Sequence, residues 1–209
     1  MNQICTPNVS KIDRTIFKEP YYPVSVNSMS SIENSPSMHN NQVVRPIPPG
    51  EHSVTPYLTV NNGSNAIEFY KKAFNAEELF RETISDGKKI LHARMRIGDS
   101  IVRLSEEFPG SIQKSPVSLG STTVTLHIYT ENVDGLWHQA IQAGAKVVLP
   151  LDNQFWGERY GMLVDPFGHQ WSMSMVIKMS PEEMAAKRKA AMSMFSKGEH
   201  PGGKSSETV

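Results

Sequence analysis

The amino-acid sequence predicts an α+β domain in which two βαβββ units form one curved mixed sheet around a cup, flanked by a disordered N-terminal arm and a C-terminal helix. Two observations lead to this fold. The same order of strand-like and helix-like patterns runs twice along the chain. A constant offset of 70 residues also brings the two halves into register, as in the pairs Thr55 and Thr125, Asn62 and Asn132, and Gly98 and Gly168. Self-similarity of this kind indicates one structural unit that is used twice.

The first unit opens with a strand at 54–60, which Pro56 places at a sheet edge because proline cannot donate a ladder hydrogen bond. Apolar residues recur at helical spacing over 64–74 and predict a helix. Pro and Gly residues predict that 107–121 is a connecting loop. Three strands lie between this helix and this loop, at 78–84, 88–97 and 100–106, the first two joined by the hairpin dipeptide Asp86-Gly87.

The second unit repeats this order. A strand is predicted at 122–130, and the helix after it carries an apolar stripe over 133–141 and ends at Gly144. The residues from Asp165 to Gly168 suit a type I turn, so a structural role is favoured for them. The remaining strands are predicted at 146–149, 159–164 and 169–177.

The segments outside the repeat have a different composition. Residues 1–50 are rich in Pro, Ser and Asn and show no apolar period, so they cannot bury enough surface to offset the entropy of ordering. They are predicted to be a disordered arm, so a chain that starts near His52 should keep its stability, and the domain should span 53–178. A capping box at Ser180 predicts a helix over 180–196, followed by a flexible tail at 197–209.

Charge and cysteine content argue against several functions. Lys and Arg number 21, as do Asp and Glu, so the chain is neutral and is not expected to bind nucleic acid or membranes. Cys5 is the only cysteine, which rules out an intrachain disulfide. No apolar run reaches the roughly 18 residues of a membrane span, and the first 30 residues lack the apolar core of a signal peptide. The chain is therefore predicted to be cytoplasmic.

Strand alternation predicts which side chains line the cup. Successive side chains of a strand point to opposite faces, and in each unit one face is apolar and the other polar. The apolar faces should pack on the helices, which leaves the polar faces to line the cup. The polar residues predicted to bind a small organic ligand are Tyr57, His92, Arg94, His127, Tyr129 and Gln170. The alternative is that these side chains only satisfy one another or face water.

Individual members of this set suggest particular chemistry. Arg94 can grip a carboxylate or phosphonate with two parallel hydrogen bonds, so an anionic ligand fits best, and the sequence shows no obvious buried partner for it. His92 and His127 could form a non-standard metal pair or act as general bases, although a hydrogen-bonded neutral imidazole is the more common role. Glu106 and Glu107 follow a strand end and are expected to be solvated charges at the rim.

Several strings of residues resemble one family. Residues 55–60 and 66–74 resemble the opening of PhnB-like proteins, which belong to the glyoxalase/bleomycin-resistance/dioxygenase (vicinal oxygen chelate) superfamily. The strings 92–99, 156–159 and 165–171 resemble the same superfamily. The resemblance covers about residues 53–178 and implies the two-unit fold. It does not select an activity, because the superfamily includes lyases, dioxygenases, thiol transferases and drug-sequestering proteins.

The resemblance also implies where a metal would bind. Enzymes of the superfamily take ligands, usually His, Gln or Glu, from the first and last strand of each unit. The matching positions are Thr55, Thr125, Ser172 and Val102, or Arg103 if the register slips by one. None supplies an imidazole or a carboxylate, so no metal and no cofactor are expected. The resemblance further places Trp156 at the mouth of the cup, where it could cover a ligand or pack as a hydrophobic plug. It also implies a homodimer.

The sequence thus predicts a metal-independent protein that binds or sequesters a small organic compound, with catalysis left open and no catalytic residue assigned. One alternative is a metal-dependent glyoxalase-type lyase, dioxygenase or transferase whose ligands lie elsewhere. Another is a structural or interaction protein that acts through the N-terminal arm.

Overall fold

The structure, a computed structural model, describes residues 46–48, 50–85 and 87–198, and most of the predicted arm and tail lies outside these residues. The described chain contains eight strands and four helices. In chain order they are β1 Tyr57–Val60, α1 Gly63–Phe74, β2 Glu77–Thr83, β3 Ile90–Ile97, β4 Ser100–Glu106, α2 Pro116–Leu119, β5 Thr125–Tyr129, α3 Val133–Ala143, β6 Lys146–Asn153, β7 Glu158–Val164, β8 Gln170–Val176 and α4 Pro181–Ser196.

The strands form two four-stranded mixed sheets, one from each unit. Their orders are β1-β4-β3-β2 and β5-β8-β7-β6. In each sheet the first strand of the unit pairs in parallel with the last, and the other neighbours are antiparallel. The α+β class and the two βαβββ units are therefore confirmed. The surface predicted as one sheet consists of two sheets, each with its own strand ladder.

The repeat is also seen in how α1 and α3 are capped. Asn62 and Asn132, which are 70 residues apart, each accept a hydrogen bond from the backbone N–H three residues further on, at 3.2 and 3.0 Å. Both helices also end on a residue in the left-handed conformation, Asn75 or Gly144. Such caps satisfy backbone groups that a helix end leaves unpaired. The two N-caps are 70 residues apart and the two C-caps 69, so the offset of 70 holds at the start of each helix and shifts by one residue at its end.

One hydrophobic core joins the two units. α1 packs against α3, and the rings of Phe74 and Trp171, which come from different units, lie 4.5 Å apart. Asp165 is the polar link in this core and is 4% exposed. Its carboxylate accepts the Tyr70 hydroxyl at 2.8 Å, the Trp171 indole N–H at 2.9 Å and two backbone N–H groups of its own turn. The turn therefore holds the two units together.

Two strand ends differ from the sequence prediction because of proline. β1 begins at Tyr57 rather than at 54, since Pro56 has no N–H to contribute to a ladder. β6 continues to Asn153, beyond the predicted end at 149. It is an edge strand with irregular pairing, and Pro150 is tolerated there.

The prediction that Glu106 and Glu107 are solvated rim charges is wrong for Glu106. Its side chain is buried, and Oε1 accepts hydrogen bonds from the backbone of Gly63 at 3.0 Å and Ile90 at 3.1 Å. Gly63 is the first residue of α1, so the carboxylate lies at the positive end of the helix dipole. Glu107 accepts a hydrogen bond from the backbone of Ser115 at 2.9 Å, at the start of α2, a one-turn helix within the predicted loop.

The predicted C-terminal helix is confirmed as α4. The Ser180 hydroxyl accepts the Glu183 N–H at 3.2 Å, and the Glu183 carboxylate accepts the Ser180 N–H at 2.9 Å, which completes the predicted capping box. None of the helices in the described part of the chain has the length and apolar character that a bilayer-spanning helix requires.

Candidate functional site

The polar face of the first unit is built around the carboxylate of Glu51. Its Oε1 lies 2.9 Å from Arg103 Nη2 and 3.1 Å from Arg94 Nη2, and its Oε2 accepts the Thr55 hydroxyl at 3.2 Å. The Glu51 side chain is 3% exposed, whereas the two arginine side chains are 19% and 29% exposed. Arg94 and Arg103 are direct cross-strand neighbours on β3 and β4. Like charges in that position repel, and the shared carboxylate offsets the repulsion.

Glu51 belongs to the segment before β1 and not to the sheet. Its backbone N–H donates to the Pro48 carbonyl at 3.1 Å, which closes a tight turn with Gly50 at φ +80°. Glycine adopts this angle without the strain that a Cβ would cause. The Glu51 side chain extends from this segment to both arginines. Glu51, Arg94 and Arg103 are called the charged cluster below.

The charged cluster also sets the ionisation of its members and neighbours. Burial by itself would raise the pKa of the Glu51 carboxyl, but hydrogen bonding and charge from Arg103, with the charge of Arg94, outweigh burial and lower it. The pKa of His92 is lowered, first by partial burial and then by the charges of the two arginines. His92 Nδ1 shares a hydrogen bond of 2.9 Å with the Tyr57 hydroxyl. Three predicted site residues therefore lie together here.

The polar face of the second unit is built around an imidazole. His127 on β5 has both ring nitrogens in hydrogen bonds, Nδ1 with Ser172 Oγ at 2.7 Å and Nε2 with Ser174 Oγ at 3.0 Å. Both serines lie on the neighbouring strand β8 and are buried. A neutral imidazole donates from one nitrogen and accepts at the other, which the two hydroxyls can match. Partial burial lowers the pKa of His127 despite the opposing charge of Glu158.

Aromatic side chains surround His127. The Tyr160 ring stacks on it with centroids 5.9 Å apart, and Tyr129 makes an edge contact at 4.4 Å. Trp156, in the turn between β6 and β7, lies 5.7 Å from Tyr160. The Tyr129 hydroxyl and the Trp156 indole N–H both donate to Glu158, at 3.2 and 3.1 Å. Tyr129 is 66% exposed and Trp156 is 45% exposed. These five residues are called the aromatic cluster below.

A cavity of about 660 Å³ runs along β5. His127 and Tyr129 line it from the second unit, and the β3–β4 turn, residues 97–102, lines it from the first. Its volume falls within the range of about 300–1,000 Å³ that is typical of sites for small organic ligands. The cavity and the aromatic cluster therefore share two predicted residues.

The seven predicted residues fall into two groups rather than one. The hydrogen bonds and ion pairs of these side chains stay within one unit. The first unit holds Tyr57, His92 and Arg94, and the second holds His127, Tyr129, Trp156 and Gln170. Gln170 accepts the Thr125 hydroxyl at 3.2 Å. The expectation that Arg94 has no buried partner is wrong, because Glu51 is that partner. A chain that starts at His52 would lack this partner.

Sequence reasoning missed Glu51, Glu158 and Tyr160. Alternation along β7 places Glu158 and Tyr160 on one face of the strand, so the rule applied to the other strands could have found both. Glu51 gave no comparable signal, because it follows a proline-rich stretch and precedes the first strand. Its role depends on partners far away along the chain.

The positions that the family resemblance assigns to a metal do not fit a divalent ion. Val102 is buried in the core, and the polar face of β4 carries Arg103, whose guanidinium cannot be a ligand. Ser172 bonds to His127 instead. Within the described residues, no group of three His, Cys, Asp or Glu side chains is arranged to hold a metal ion. The side chains at these positions are therefore not the ligands that Ni, Zn, Fe or Mn prefer.

The chain is similar to several known proteins. The sequence model of the Glyoxalase/Bleomycin resistance protein/Dioxygenase superfamily matches residues 51–173. An uncharacterized protein of Mycobacterium bovis is 43% identical over 131 residues, which is 61% of this chain and 86% of the relative. The structure of TioX from Micromonospora sp. ML1 is 24% identical with a TM-score of 0.49 and covers 59% of this chain and 98% of that one. A PhnB protein from Bacillus cereus is 16% identical with a TM-score of 0.47, covering 60% and 100%.

The chain therefore belongs to the Glyoxalase/Bleomycin resistance protein/Dioxygenase superfamily, and the resemblance seen in the sequence is confirmed. Membership accounts for the two-unit fold but does not choose among the activities that the fold supports. The matched region begins at residue 51 and so includes Glu51, although the predicted domain begins at 53.

Proposed function

We propose that this protein binds a small, flat organic compound on the aromatic cluster, beside the cavity along β5, and that binding needs no metal. The observation that supports the proposal is exposed aromatic surface held by hydrogen bonds. Buried Ser172 and Ser174 orient His127, and Glu158 holds Tyr129 and Trp156. Rings that are already ordered lose little entropy when a ligand binds, so more of the contact energy appears as affinity.

The chemistry of the aromatic cluster favours a neutral or cationic ligand. Glu158 is the charged member of the cluster, because the lowered pKa of His127 leaves its ring neutral near pH 7. Aromatic faces stack on flat groups and attract cations, whereas an anion would meet the Glu158 carboxylate. The anionic ligand expected from Arg94 is not expected at this cluster, since the charge of Arg94 is paired with Glu51 in the other unit.

Tryptophan fluorescence provides a direct test. The chain has three tryptophans, and Trp137 and Trp171 are 6% and 2% exposed, so Trp156 is the one that a ligand can reach. Flat heteroaromatic compounds, neutral and cationic, would be screened by thermal shift and the hits titrated. We expect a saturable change in emission. Trp156→Phe should keep binding in calorimetry while losing that change.

Removing the Trp156 ring tests whether this side chain contacts the ligand. Trp156→Ala should weaken a hit by about tenfold, because one ring contact is worth roughly 1.4 kcal/mol. Tyr57→Ala removes a similarly exposed ring from the first unit and should leave the affinity unchanged. Equal binding by the parent and Trp156→Ala would reject the aromatic cluster as the site.

We also propose a metal-free homodimer located in the cytoplasm. The pairing is expected from the superfamily resemblance, and light scattering at micromolar concentration should give about twice the 23.3 kDa of one chain. Elemental analysis should find far less than one Ni, Zn, Fe or Mn per chain. A stoichiometric ion would instead favour the alternative, a metal-dependent lyase, dioxygenase or transferase.

A further inference from the structure

We propose that the first unit contains a binding site for a compact oxyanion, and that Glu51 occupies this site from within the chain. On this view the Glu51 carboxylate is an internal ligand that stands where an external carboxylate or phosphate would bind. The inference concerns the charged cluster and does not depend on the function proposed for the aromatic cluster.

The geometry of the charged cluster is that of an anion site. Two guanidinium groups converge on one oxygen of Glu51, at 2.9 and 3.1 Å, and a hydroxyl donates to the other oxygen at 3.2 Å. Guanidinium groups and hydroxyls are the side chains that proteins use to hold carboxylates and phosphates. Both arginines extend from neighbouring strands, so the sheet fixes their spacing. The two guanidinium groups would remain in place if another anion replaced Glu51.

Glu51 does not pair with every hydrogen-bond donor of the charged cluster. Arg94 Nε is shielded from solvent and has no hydrogen-bond partner among the described residues. A buried donor of this kind carries a free-energy cost that an additional acceptor would remove. Arg94 contacts a single oxygen of Glu51, whereas a free carboxylate or phosphate can turn a second oxygen toward the same guanidinium.

Charge also favours an external anion. The cluster combines two arginines with one carboxylate. The nearby imidazole of His92, whose pKa is lowered, adds no further positive charge near pH 7. The cluster therefore carries one net positive charge even when Glu51 is bound. This excess attracts anions to the polar face of the first unit.

Glu51 is carried by a segment that can leave without breaking a strand. It precedes β1 by six residues, counting from Glu51 to Tyr57, and no ladder hydrogen bond includes it. The segment is held by the turn at Gly50 and by the Thr55 hydroxyl, whose single hydrogen has two acceptors in reach, the Glu51 carboxylate and the His52 carbonyl. Displacement of this short segment would open the anion site while the sheet stays intact.

The test compares the full chain with Glu51→Ala, using acetate and inorganic phosphate as probes and chloride at equal ionic strength as the baseline. Calorimetry should show that Glu51→Ala binds at least one probe saturably and more than tenfold more tightly than the parent. The double variant Glu51→Ala with Arg94→Met should lose this gain, because the probe has lost one of its two guanidinium groups.

A second readout covers the case in which Glu51→Ala is too unstable to titrate. Its melting temperature should then rise with acetate or phosphate and not with chloride, and the double variant should respond less. The proposal is overturned if neither probe binds or stabilises Glu51→Ala beyond the chloride baseline. It is overturned equally if the double variant responds as strongly as Glu51→Ala, because the probe would then bind elsewhere.

Discussion

The two units of this domain share a topology and differ in what they place on their polar faces. In the first unit, Glu51, Arg94 and Arg103 pair with one another, and the central carboxylate is 3% exposed. In the second unit, neutral His127 lies among rings, of which Tyr129 is 66% exposed. A repeated backbone therefore does not determine the chemistry of its face. The first face is closed by its own charges, and the second is open.

This difference predicts how each face responds to change. An ion pair held away from water depends on every member, because the loss of one leaves the others uncompensated. Exposed rings that are oriented by hydrogen bonds keep much of their surface available, and the loss of one polar atom from them leaves no buried group unpaired. We therefore expect the first face to govern stability and the second to govern ligand binding.

The largest effect is expected at Asp165, which links the two units in the core beneath both faces. Asp165→Ala removes a carboxylate that accepts four hydrogen bonds and leaves the buried donors of Tyr70 and Trp171 unpaired. We expect the free energy of unfolding to fall by about 3–5 kcal/mol. Urea unfolding measures this loss, with Asp99→Ala, an exposed turn residue, as the control. A loss no larger than that of the control would show that the units are not joined through Asp165.

A shorter chain tests the closed face alone. A chain that begins at Pro46 keeps Glu51, whereas one that begins at Ser53 lacks it. We expect the first to melt at the temperature of the full chain, since the arm is predicted to be dispensable. The free energy of unfolding of the second chain should be lower by about 2 kcal/mol, a value between those of surface and buried ion pairs. This corresponds to a melting temperature lower by roughly 4–8 °C. Equal melting of the two chains would mean that Glu51 contributes nothing to stability.

Acid should weaken the fold in the range where histidine titrates. The pKa values of His92, His127 and His169 are lowered, in each case chiefly by burial. As the pH falls through the ordinary histidine value of about 6.5, the unfolded chain binds protons before the folded chain does, so stability falls. Denaturant unfolding at pH 7.5, 6.5 and 5.5 should show this decline.

His127→Gln isolates the contribution of the open face to the acid response. The variant should flatten the decline, and His92→Gln provides the matched change in the first unit. A stability that rises between pH 7.5 and 5.5 would contradict the lowered pKa values. If His127→Gln keeps the full slope, the decline belongs to the other histidines.

The smallest effect on stability is expected at the surface of the aromatic cluster. Tyr129→Phe removes one hydroxyl, which donates to Glu158, from a residue that is 66% exposed. We expect a change below about 0.5 kcal/mol in the free energy of unfolding. For a ligand found in the fluorescence screen, Tyr129→Ala should weaken binding more than Tyr129→Phe does. Equal affinities for the two variants would remove Tyr129 from the binding surface.

Most of the fold could be predicted because its signals are local. Helical spacing of apolar residues predicted α1 and α3, and the cap at Ser180 predicted α4. β4 lies where it was predicted, at 100–106. Proline effects were harder to place, because whether Pro150 ends a strand depends on whether that strand lies at a sheet edge.

The site could be predicted only in part, because its partners are distant along the chain. Alternation identified His127 and Tyr129 as polar-face residues without any knowledge of the sheet. It could not pair Arg103 with Glu51, since 52 residues separate them. Nor could it reveal that Glu106 turns inward to the start of α1. Local patterns report which way a side chain points, whereas its partner is set by tertiary structure.

The charged cluster also constrains the order in which its residues can be substituted during evolution. If Glu51 changes first, two neighbouring cations lose their shared anion, whereas loss of one arginine first leaves a balanced pair. Substitutions at these positions should therefore be strongly non-additive. In the second unit, neutral Ser172 pairs with His127 where Arg103 pairs with Tyr57 in the first unit, so the second unit carries no such dependence. Among relatives, the three charged residues should be kept or lost largely as a set, while the corresponding positions of the second unit vary independently.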